Sequence, residues 1–234
     1  MPSNTPPPSL GPDTSVLVAG ASGGLGGAIV DQLQRRGARM TLVGRDQAKL
    51  DALAAPGPRL AVDLRTPDAC RRAVELALSE HGRLDVVINA AGVVAFGPVA
   101  ELDVDVMEEL FLTNTFVPIM LATAALPHLE VGAAIVNISG VIAENNLPGM
   151  AAYGASKAAV AAFDQALARE ARRAGVRVID ARPPHTETGL ADRPIAGAAP
   201  RMPTGLDPAT VAAVIVEAIE RGTTDLPSTA FAAG

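Results

Sequence analysis

A glycine-rich segment between a buried strand and an amphipathic helix constrains the fold of this chain more than any other feature. Residues 15–19 predict a short apolar strand, and Gly20, Gly24 and Gly26 follow it in a G-x-x-x-G-x-G spacing. A helix is predicted over residues 25–36. A tight strand-to-helix turn needs residues without a Cβ, and the free N–H groups of a helix N-terminus attract phosphate groups. The pattern favours a dinucleotide-binding loop, and the alternative is a connecting turn without a ligand.

The rest of the chain repeats the alternation of strand and helix. This alternation predicts an α/β fold, namely a single Rossmann-type doubly wound parallel sheet of about six to seven strands with helices on both faces. Residues 1–14 carry five prolines and are expected to be a disordered leader, with one domain over residues 15–234. The further predicted strands cover residues 39–43, 59–62, 84–88, 134–138 and 176–181, and the longer helices cover 67–81, 102–129 (in two pieces or kinked at Pro118), 150–174 and 208–221.

Composition excludes several other classes of protein. The net charge of -6 argues against binding to nucleic acid or to an anionic membrane. The single cysteine, Cys70, excludes an internal disulfide, and the scattered His81, His128 and His185 do not predict a metal site. We expect no stretch of membrane-spanning length and no secretory signal, and therefore a cytoplasmic protein.

The end of the second predicted strand bears on the choice of cofactor. Strand 39–43 is followed by Gly44, Arg45 and Asp46. In dinucleotide folds a carboxylate at this point binds the ribose 2′-hydroxyl, whereas an arginine accommodates a 2′-phosphate. The small Gly44 and the adjacent Arg45 therefore favour NADP(H) over NAD(H). Alternatively, Asp46 is a helix N-cap for the segment to Leu53 and Arg45 is a solvated charge.

A tyrosine and a lysine lie four residues apart on the helix predicted from residue 150. Tyr153 and Lys157 therefore share one helical face. An ammonium beside a phenol favours the phenolate and lowers the tyrosine pKa, which suits general acid–base chemistry. The alternative is an exposed polar pair. Asn114, inside the long predicted helix, is either functional or a polar residue of helix packing.

Two further segments lie where parallel strands end. Residues 89–92, Asn-Ala-Ala-Gly, follow a predicted strand and are small enough to let a ligand approach. Residues 182–205 are rich in proline and glycine without periodicity, and long loops of this kind usually cover a site. We therefore expect this loop to lie over the crevice at the carboxyl ends of the strands.

Together these motifs resemble those of the short-chain dehydrogenase/reductase family over about residues 15–222. The glycine loop, the Asn-Ala-Ala-Gly run (with Ala90 for the family's second Asn) and the pair Tyr153 and Lys157 occur in the family's order. Residues 182–188 follow its Pro-Gly-x-x-x-Thr segment, with Pro184 in place of Gly. The resemblance implies hydride transfer between a nicotinamide cofactor and a small-molecule carbonyl or alcohol.

The resemblance also implies roles for individual residues. Tyr153 would protonate the developing alkoxide, Lys157 would lower the tyrosine pKa and bind the nicotinamide ribose, and Asn114 would complete a water relay. Asp63 would contact the adenine, while Thr188 and the backbone at Thr186 would fix the nicotinamide amide. The implied cofactor-binding residues are Gly20, Ser22, Gly24, Leu25, Gly26, Arg45, Asp63, Leu64, Asn89, Ala90, Gly92, Tyr153, Lys157, Pro183, Thr186 and Thr188.

One departure from the family pattern concerns the catalytic serine. The family usually carries it thirteen residues before the tyrosine, where this chain has Gly140, and the nearest serine, Ser139, is one residue early. Adjacent side chains of a strand point to opposite sides, although a one-residue bulge could turn Ser139 round. Asn145, a backbone N–H or the substrate itself could supply the missing donor instead.

Three functions remain open at this point. The first is an NADP(H)-dependent carbonyl reductase or alcohol dehydrogenase, and the second, motivated by Gly140, is a non-catalytic NADP(H)-binding regulatory or scaffold protein. The third is lyase, epimerase or dehydratase chemistry, for which the chain is short. We expect a homodimer or homotetramer formed through helices 102–129 and 151–174, although the family's usual final strand is not evident in the sequence.

Overall fold

The computed structural model describes residues 7–231, and a sheet of seven parallel strands forms its centre. The spatial order β3-β2-β1-β4-β5-β6-β7 has a single reversal between β1 and β4, so the predicted doubly wound Rossmann sheet is confirmed. The strands are β1 (Ser15–Ala19), β2 (Arg39–Gly44), β3 (Arg59–Ala61), β4 (Val86–Asn89), β5 (Ala134–Ile138), β6 (Arg177–Ala181) and β7 (Asp225–Leu226).

Helices cover both faces of the sheet, as predicted. On one face α1 and α7 pack together over the core through Leu33 and Ile215, and on the other face α3 and α5 pack through Val74 and Leu121. The strands between them are apolar on both sides, as expected for a doubly covered parallel sheet. The helices are α1 (Gly24–Arg35), α2 (Gln47–Asp51), α3 (Pro67–His81), α4 (Val104–Phe111), α5 (Val117–Ala125), α6 (Ala151–Ala171) and α7 (Pro208–Arg221).

The long predicted helix is interrupted before the proline. A π-helical turn at Leu112–Phe116 joins α4 to α5, and Pro118 lies in the first turn of α5, where its missing N–H does no harm. Helical residues 104–128 are long and apolar enough to cross a membrane by length and composition, contrary to our expectation from the sequence. Half of that apolar window is buried inside the fold.

Both ends of the chain differ from the sequence-based expectation. Residues 1–6 of the predicted leader lie outside the described residues, but Leu10 is buried in the α1–α7 core. The Thr14 hydroxyl donates to the Ser9 carbonyl at 2.6 Å, so residues 7–14 are packed where disorder is predicted. A final strand exists after all, because the two residues of β7 pair with Asp180 and Ala181 of β6. Two residues are too few to give a sequence pattern.

Candidate active site

The glycine-rich loop makes a close turn between β1 and α1. A Cβ on Gly26 would lie 2.0 Å from the Gly20 carbonyl oxygen, and one on Gly20 would lie 2.6 Å from the Ala91 nitrogen. Side chains at either position would therefore push the loop away from α1 or from the end of β4. The helix N-cap is Gly23, whose position carries no side-chain cap. The first N–H groups of α1 thus lack a side-chain acceptor, which suits an anionic ligand.

A cavity of about 240 Å³, here called the basic cavity, lies between this loop and the ends of β2 and β3. Arg45 and Lys49 line it beside Gly44, and a Cβ on Gly44 would lie 3.0 Å from the Ser22 hydroxyl oxygen. Asp46 is indeed the N-cap of α2, since its carboxylate accepts the Lys49 N–H at 3.1 Å. Its charge is thereby directed to the helix, while Arg45 remains exposed at the cavity.

Asp63, at the far side of the basic cavity, is already paired. Arg65 donates its Nε–H to both carboxylate oxygens at 3.0 and 2.8 Å, and this hydrogen bonding lowers the pKa of Asp63. Arg65 also forms an ion pair with Glu109. Arg65 was not predicted as a site residue, although its position two residues after the strand-end Asp63 is a signal for this ion pair.

A second cavity of about 250 Å³, here called the tyrosine cavity, contains the predicted catalytic pair. It is contiguous with the basic cavity, because Ala90, Ala91 and Gly92 after β4 line both. Most of the remaining lining is apolar, with the side chains of Leu25, Val94, Phe96, Ile138, Val141, Ile142, Leu147, Met150, Leu190 and Met202. The site therefore suits a ligand with a polar cofactor part and a largely apolar substrate part.

Tyr153 and Lys157 lie one turn apart on α6, but the predicted lowering of the tyrosine pKa does not follow from their geometry. Burial raises the pKa of Tyr153 to about 12. The Lys157 ammonium donates to the Ile138 carbonyl at 2.7 Å, and burial lowers its pKa to about 8, opposed by the charge of Asp180. Desolvation of the phenolate therefore outweighs the neighbouring ammonium.

Asn114 occupies the π-helical turn and makes three hydrogen bonds to the protein. Its Oδ1 accepts the Val93 N–H at 2.9 Å, and its Nδ2 donates to the Val93 carbonyl and to the Ser156 hydroxyl, each at 3.0 Å. It is nevertheless close to the lysine, because a Cβ on Gly92 would lie 3.3 Å from Asn114 Oδ1 and 3.6 Å from Lys157 Nζ.

Gly140 and Ser139 both line the tyrosine cavity, but neither offers it a free hydroxyl. Gly140 has a φ of +81° and a ψ of 163°, which L side chains rarely adopt. The N–H groups of Ser139 and Gly140 both donate to the Ala181 carbonyl, at 3.0 and 3.2 Å, as in a one-residue bulge. The bulge does not turn Ser139 round, since its hydroxyl is fully buried and donates to Asp180. Asn145 is exposed and does not line the cavity.

Asp180 belongs to a polar cluster centred on Arg182. The guanidinium donates to Asp180, to Glu144 at 2.6 Å, and to Asp225 of β7. Glu144 also accepts the Ser228 N–H at 3.3 Å. One arginine therefore joins the end of β6, the loop after Gly140 and the C-terminal segment.

The loop after β6 covers the crevice, as predicted. A Cβ on Gly24 would lie 2.5 Å from the Thr188 carbonyl oxygen, so this loop rests directly on the start of α1. The Thr186 hydroxyl donates to the Pro184 carbonyl at 2.9 Å, and Thr186 pairs with Leu206 in an isolated parallel bridge.

Most of the predicted cofactor residues lie at one of the two cavities. Asn89 and Gly26 line neither cavity. Asn89 Oδ1 accepts the Ala91 N–H at 3.3 Å and so holds the backbone of a lining residue. His185 and Arg193 were not among the individually predicted site residues, although both line the tyrosine cavity. The predicted residues at the basic cavity are Gly20, Ser22, Arg45, Asp63, Leu64, Ala90 and Gly92, and those at the tyrosine cavity are Gly24, Leu25, Ala90, Gly92, Tyr153, Lys157, Pro183, Thr186 and Thr188.

This arrangement is that of a Rossmann-type dehydrogenase, and comparison with known proteins identifies the family. A model of the short chain dehydrogenase family matches residues 14–196, so the chain belongs to this family of NAD(P)-dependent oxidoreductases. A short chain dehydrogenase of Pseudocercospora fijiensis is 30% identical, over 75% of this chain and 60% of that protein. The dehydrogenase/reductase SDR family member 7B of Danio rerio is 33% identical, over 88% of this chain and 74% of that protein.

Solved structures share the fold over almost the whole chain. A dehydrogenase/reductase from Sinorhizobium meliloti 1021 is 25% identical, with a TM-score of 0.83 over 95% of this chain and 97% of that chain. A short chain dehydrogenase from Burkholderia cenocepacia J2315, solved in complex with NADP, is 26% identical, with a TM-score of 0.81 over 95% and 99% of the two chains. One from Burkholderia phymatum, solved in complex with NAD, has the same fold at 22% identity, with a TM-score of 0.82 over 92% and 88%.

Proposed function

We propose that this chain transfers a hydride between NADP(H) and a largely apolar carbonyl or alcohol substrate. The observation that carries the proposal is the continuity of the two cavities: Ala90–Gly92 joins the glycine-rich loop to the cavity that holds Tyr153 and Lys157. A dinucleotide spanning both would present its nicotinamide near the tyrosine. When bound, NADP(H) would supply the hydride, while the protein orients cofactor and substrate and supplies the proton.

The residues of the site fit such a cofactor. The glycines leave room for a pyrophosphate at the N-terminus of α1, where no side-chain cap competes. Ser22, Arg45 and Lys49 line the basic cavity together with Gly44, and we assign them to the 2′-phosphate. This supports a preference for NADP(H), because two cations and a hydroxyl line this end of the basic cavity; Asp46 lines it as well, but its carboxylate accepts the Lys49 N–H and lies 3.9 Å from the Lys49 ammonium.

The acid–base chemistry follows from burial. With a pKa of about 12, the Tyr153 phenol keeps its proton at neutral pH and can donate it to a carbonyl oxygen that becomes an alkoxide. Lys157, with a pKa of about 8, is mainly an ammonium below that pH. Held by the Ile138 carbonyl, it is placed to donate to a ribose hydroxyl and to support Asn114 in proton relay.

The test is NADPH consumption with a broad panel of ketones and aldehydes, with NADH in parallel. We expect turnover with NADPH to exceed that with NADH. Tyr153→Phe should lower kcat by about 10²- to 10⁴-fold, the usual contribution of a general acid, while NADPH affinity in a fluorescence titration is retained. If Tyr153→Phe turns over as fast as the wild type, the proposed mechanism is wrong.

A second candidate, a non-catalytic NADP(H)-binding protein, is favoured by one observation, the absence of a serine hydroxyl at Gly140. Tight NADPH binding with no turnover of any member of the panel would favour it.

Under either function we propose at least a homodimer through the long helices, because Val104, Met107 and Phe116 are exposed apolar side chains on one helical run.

A further inference from the structure

The junction of the basic cavity and the tyrosine cavity carries one charged side chain. A dinucleotide that spans both cavities must pass this junction. Among the described residues, those that line both cavities are Gly23, Ala90, Ala91, Gly92, Leu190 and Arg193. All of these except Arg193 have small or apolar side chains. A cation at the point where the cavities meet suits an anionic part of the ligand.

The guanidinium of Arg193 lies beside the start of α1. Its Nη2 donates to the Thr188 carbonyl oxygen at 3.4 Å. A Cβ built on Gly24, the first residue of α1, would lie 2.5 Å from the same oxygen. A single carbonyl oxygen therefore contacts both the guanidinium and the first residue of the helix. The proposed function places the pyrophosphate of the cofactor at this helix N-terminus.

The loop after β6 is fastened on both sides of this arginine. Before Arg193, the backbone of Thr188 rests directly on Gly24. After it, the Ile195 N–H donates to the Val94 carbonyl at 2.8 Å. The loop thus runs from the start of α1 to the segment that follows β4, and Arg193 lies in the stretch between these two attachments. Its position over the junction is set by backbone contacts that do not involve a ligand.

Arg193 has donors left for an anion. Its Nε–H donates to the Gly189 carbonyl at 3.0 Å, and the residue is exposed. Both hydrogen bonds of the guanidinium therefore go to backbone carbonyls, and within the part of the chain that the structure describes it forms no ion pair, not even with the adjacent Asp192. A guanidinium has more N–H groups than these two bonds use, and its planar fork matches two phosphate oxygens.

We propose that Arg193, together with the N-terminus of α1, binds the pyrophosphate of the dinucleotide and so fastens the cofactor across the junction of the two cavities. The pyrophosphate is common to NADPH and NADH, so Arg193 adds affinity for both. Arg45 and Lys49, in contrast, are assigned to a phosphate that only NADPH carries. The inference rests on the cofactor-binding part of the proposed function and deepens it.

The experiment measures the Kd of NADPH and of NADH by isothermal titration calorimetry. Arg193→Gln should raise both values about tenfold, near the lower end for a hydrogen bond to a charged group because the arginine is exposed. Arg193→Lys keeps the charge without the fork and should raise them by about two- to fourfold. Arg201→Gln is the matched control and should change neither, because Arg201 is an exposed arginine of the same loop that lines neither cavity.

Two further measurements separate a pyrophosphate contact from a general effect on the loop. Adenosine 2′-monophosphate carries the 2′-phosphate without a pyrophosphate, so its inhibition constant against NADPH should be equal in the wild type and in Arg193→Gln. The difference in NADPH Kd between these two proteins should shrink as NaCl is raised from about 0.05 M to about 0.5 M, because salt screens an exposed charge.

Four results would overturn the inference alone. The first is a wild-type Kd for both cofactors in Arg193→Gln. The second is a loss confined to NADPH, or an equal weakening of adenosine 2′-monophosphate, because Arg193 would then contact the adenosine end of the cofactor. The third is a raised KM for the substrate with unchanged cofactor affinity, which would assign Arg193 to an anionic substrate. The fourth is a loss of affinity that salt does not change, which indicates a packing role.

The remaining results concern the proposed function. A wild type that binds both cofactors but turns over no substrate refutes hydride transfer, while the affinities of the Arg193 variants still decide the inference. A wild type that binds neither cofactor refutes both. If Arg193→Gln does not fold, Arg193→Lys decides by the same comparison of the three ligands.

Discussion

Gly140→Ser would restore the side chain that the family usually carries, yet we expect it to destabilise the protein. The backbone at Gly140, with φ +81° and ψ 163°, lies in a region that is accessible almost only to glycine. Holding another residue there costs about 1–3 kcal/mol. Space is not the obstacle, because the nearest atom to an added Cβ is the Pro183 carbonyl oxygen at 3.9 Å. The whole loss of unfolding free energy should therefore come from the backbone.

Gly140→Ala is the control, since it carries the same backbone cost without the hydroxyl. Urea unfolding followed by far-UV circular dichroism suits a chain without Trp, and both variants should lose about 1–3 kcal/mol, equal to each other within about 0.5 kcal/mol. The kcat of Gly140→Ser divided by that of Gly140→Ala then measures the contribution of the hydroxyl to catalysis, and we expect this ratio to exceed one. If Gly140→Ala is as stable as the wild type, the argument from the backbone conformation is wrong.

Three further predictions concern charge, cofactor choice and assembly. Asp164 is 2% exposed and accepts from Asn137 Nδ2 at 2.7 Å, and burial raises its pKa to about 8. The native state therefore binds more protons than the unfolded state between about pH 4 and 8, so wild-type stability contains a contribution that is lost as pH rises through that window. The Asp164→Asn variant should lack this dependence. Its free energy of unfolding relative to that of the wild type should therefore be higher at pH 8 than at pH 4, by no more than about 6 kcal/mol. Urea midpoints of the two proteins that change in parallel across that range would contradict the prediction. Arg45→Glu should raise the Kd for NADPH by about tenfold or more while NADH binding changes little, measured by fluorescence titration, because it replaces a phosphate partner by a like charge; an equal loss for both cofactors would contradict the assignment to the 2′-phosphate. Phe116→Glu should shift the protein towards a monomer in light scattering at micromolar concentration, because it places a charge in the proposed apolar interface; an unchanged oligomer would place the interface elsewhere.

Local signals predicted the elements that carry their own start and stop residues. The helix predicted over residues 67–81 has those bounds because Thr66 caps its first turn, a proline occupies the first position, and Gly82 ends it in a left-handed conformation. The glycine-rich loop was predictable for the same reason, since the spacing of its glycines and the strand before them lie in one short stretch of sequence. The parallel sheet followed from strict alternation of these elements.

The properties that the sequence did not predict depend on contacts between distant segments. The rise in the Tyr153 pKa comes from burial, which no local spacing reveals. The direction of the Ser139 hydroxyl was decided by Asp180 on a neighbouring strand, 41 residues away in sequence. The positions of His185 and Arg193 at the tyrosine cavity depend on how the loop after β6 folds over the crevice.

The arginine that joins three segments has a practical consequence for handling the protein. Asp225 is linked to the loop after Gly140 through Arg182, and the Ser228 N–H and hydroxyl both donate to Glu144 of that loop. A recombinant version trimmed before β7 would lose both Asp225 and Ser228, leaving Arg182 with Asp180 and Glu144 alone and the loop after Gly140 without its contacts to the C-terminal segment. Weak activity of such a preparation would then report on the engineering of its C-terminus rather than on the wrong choice of substrate.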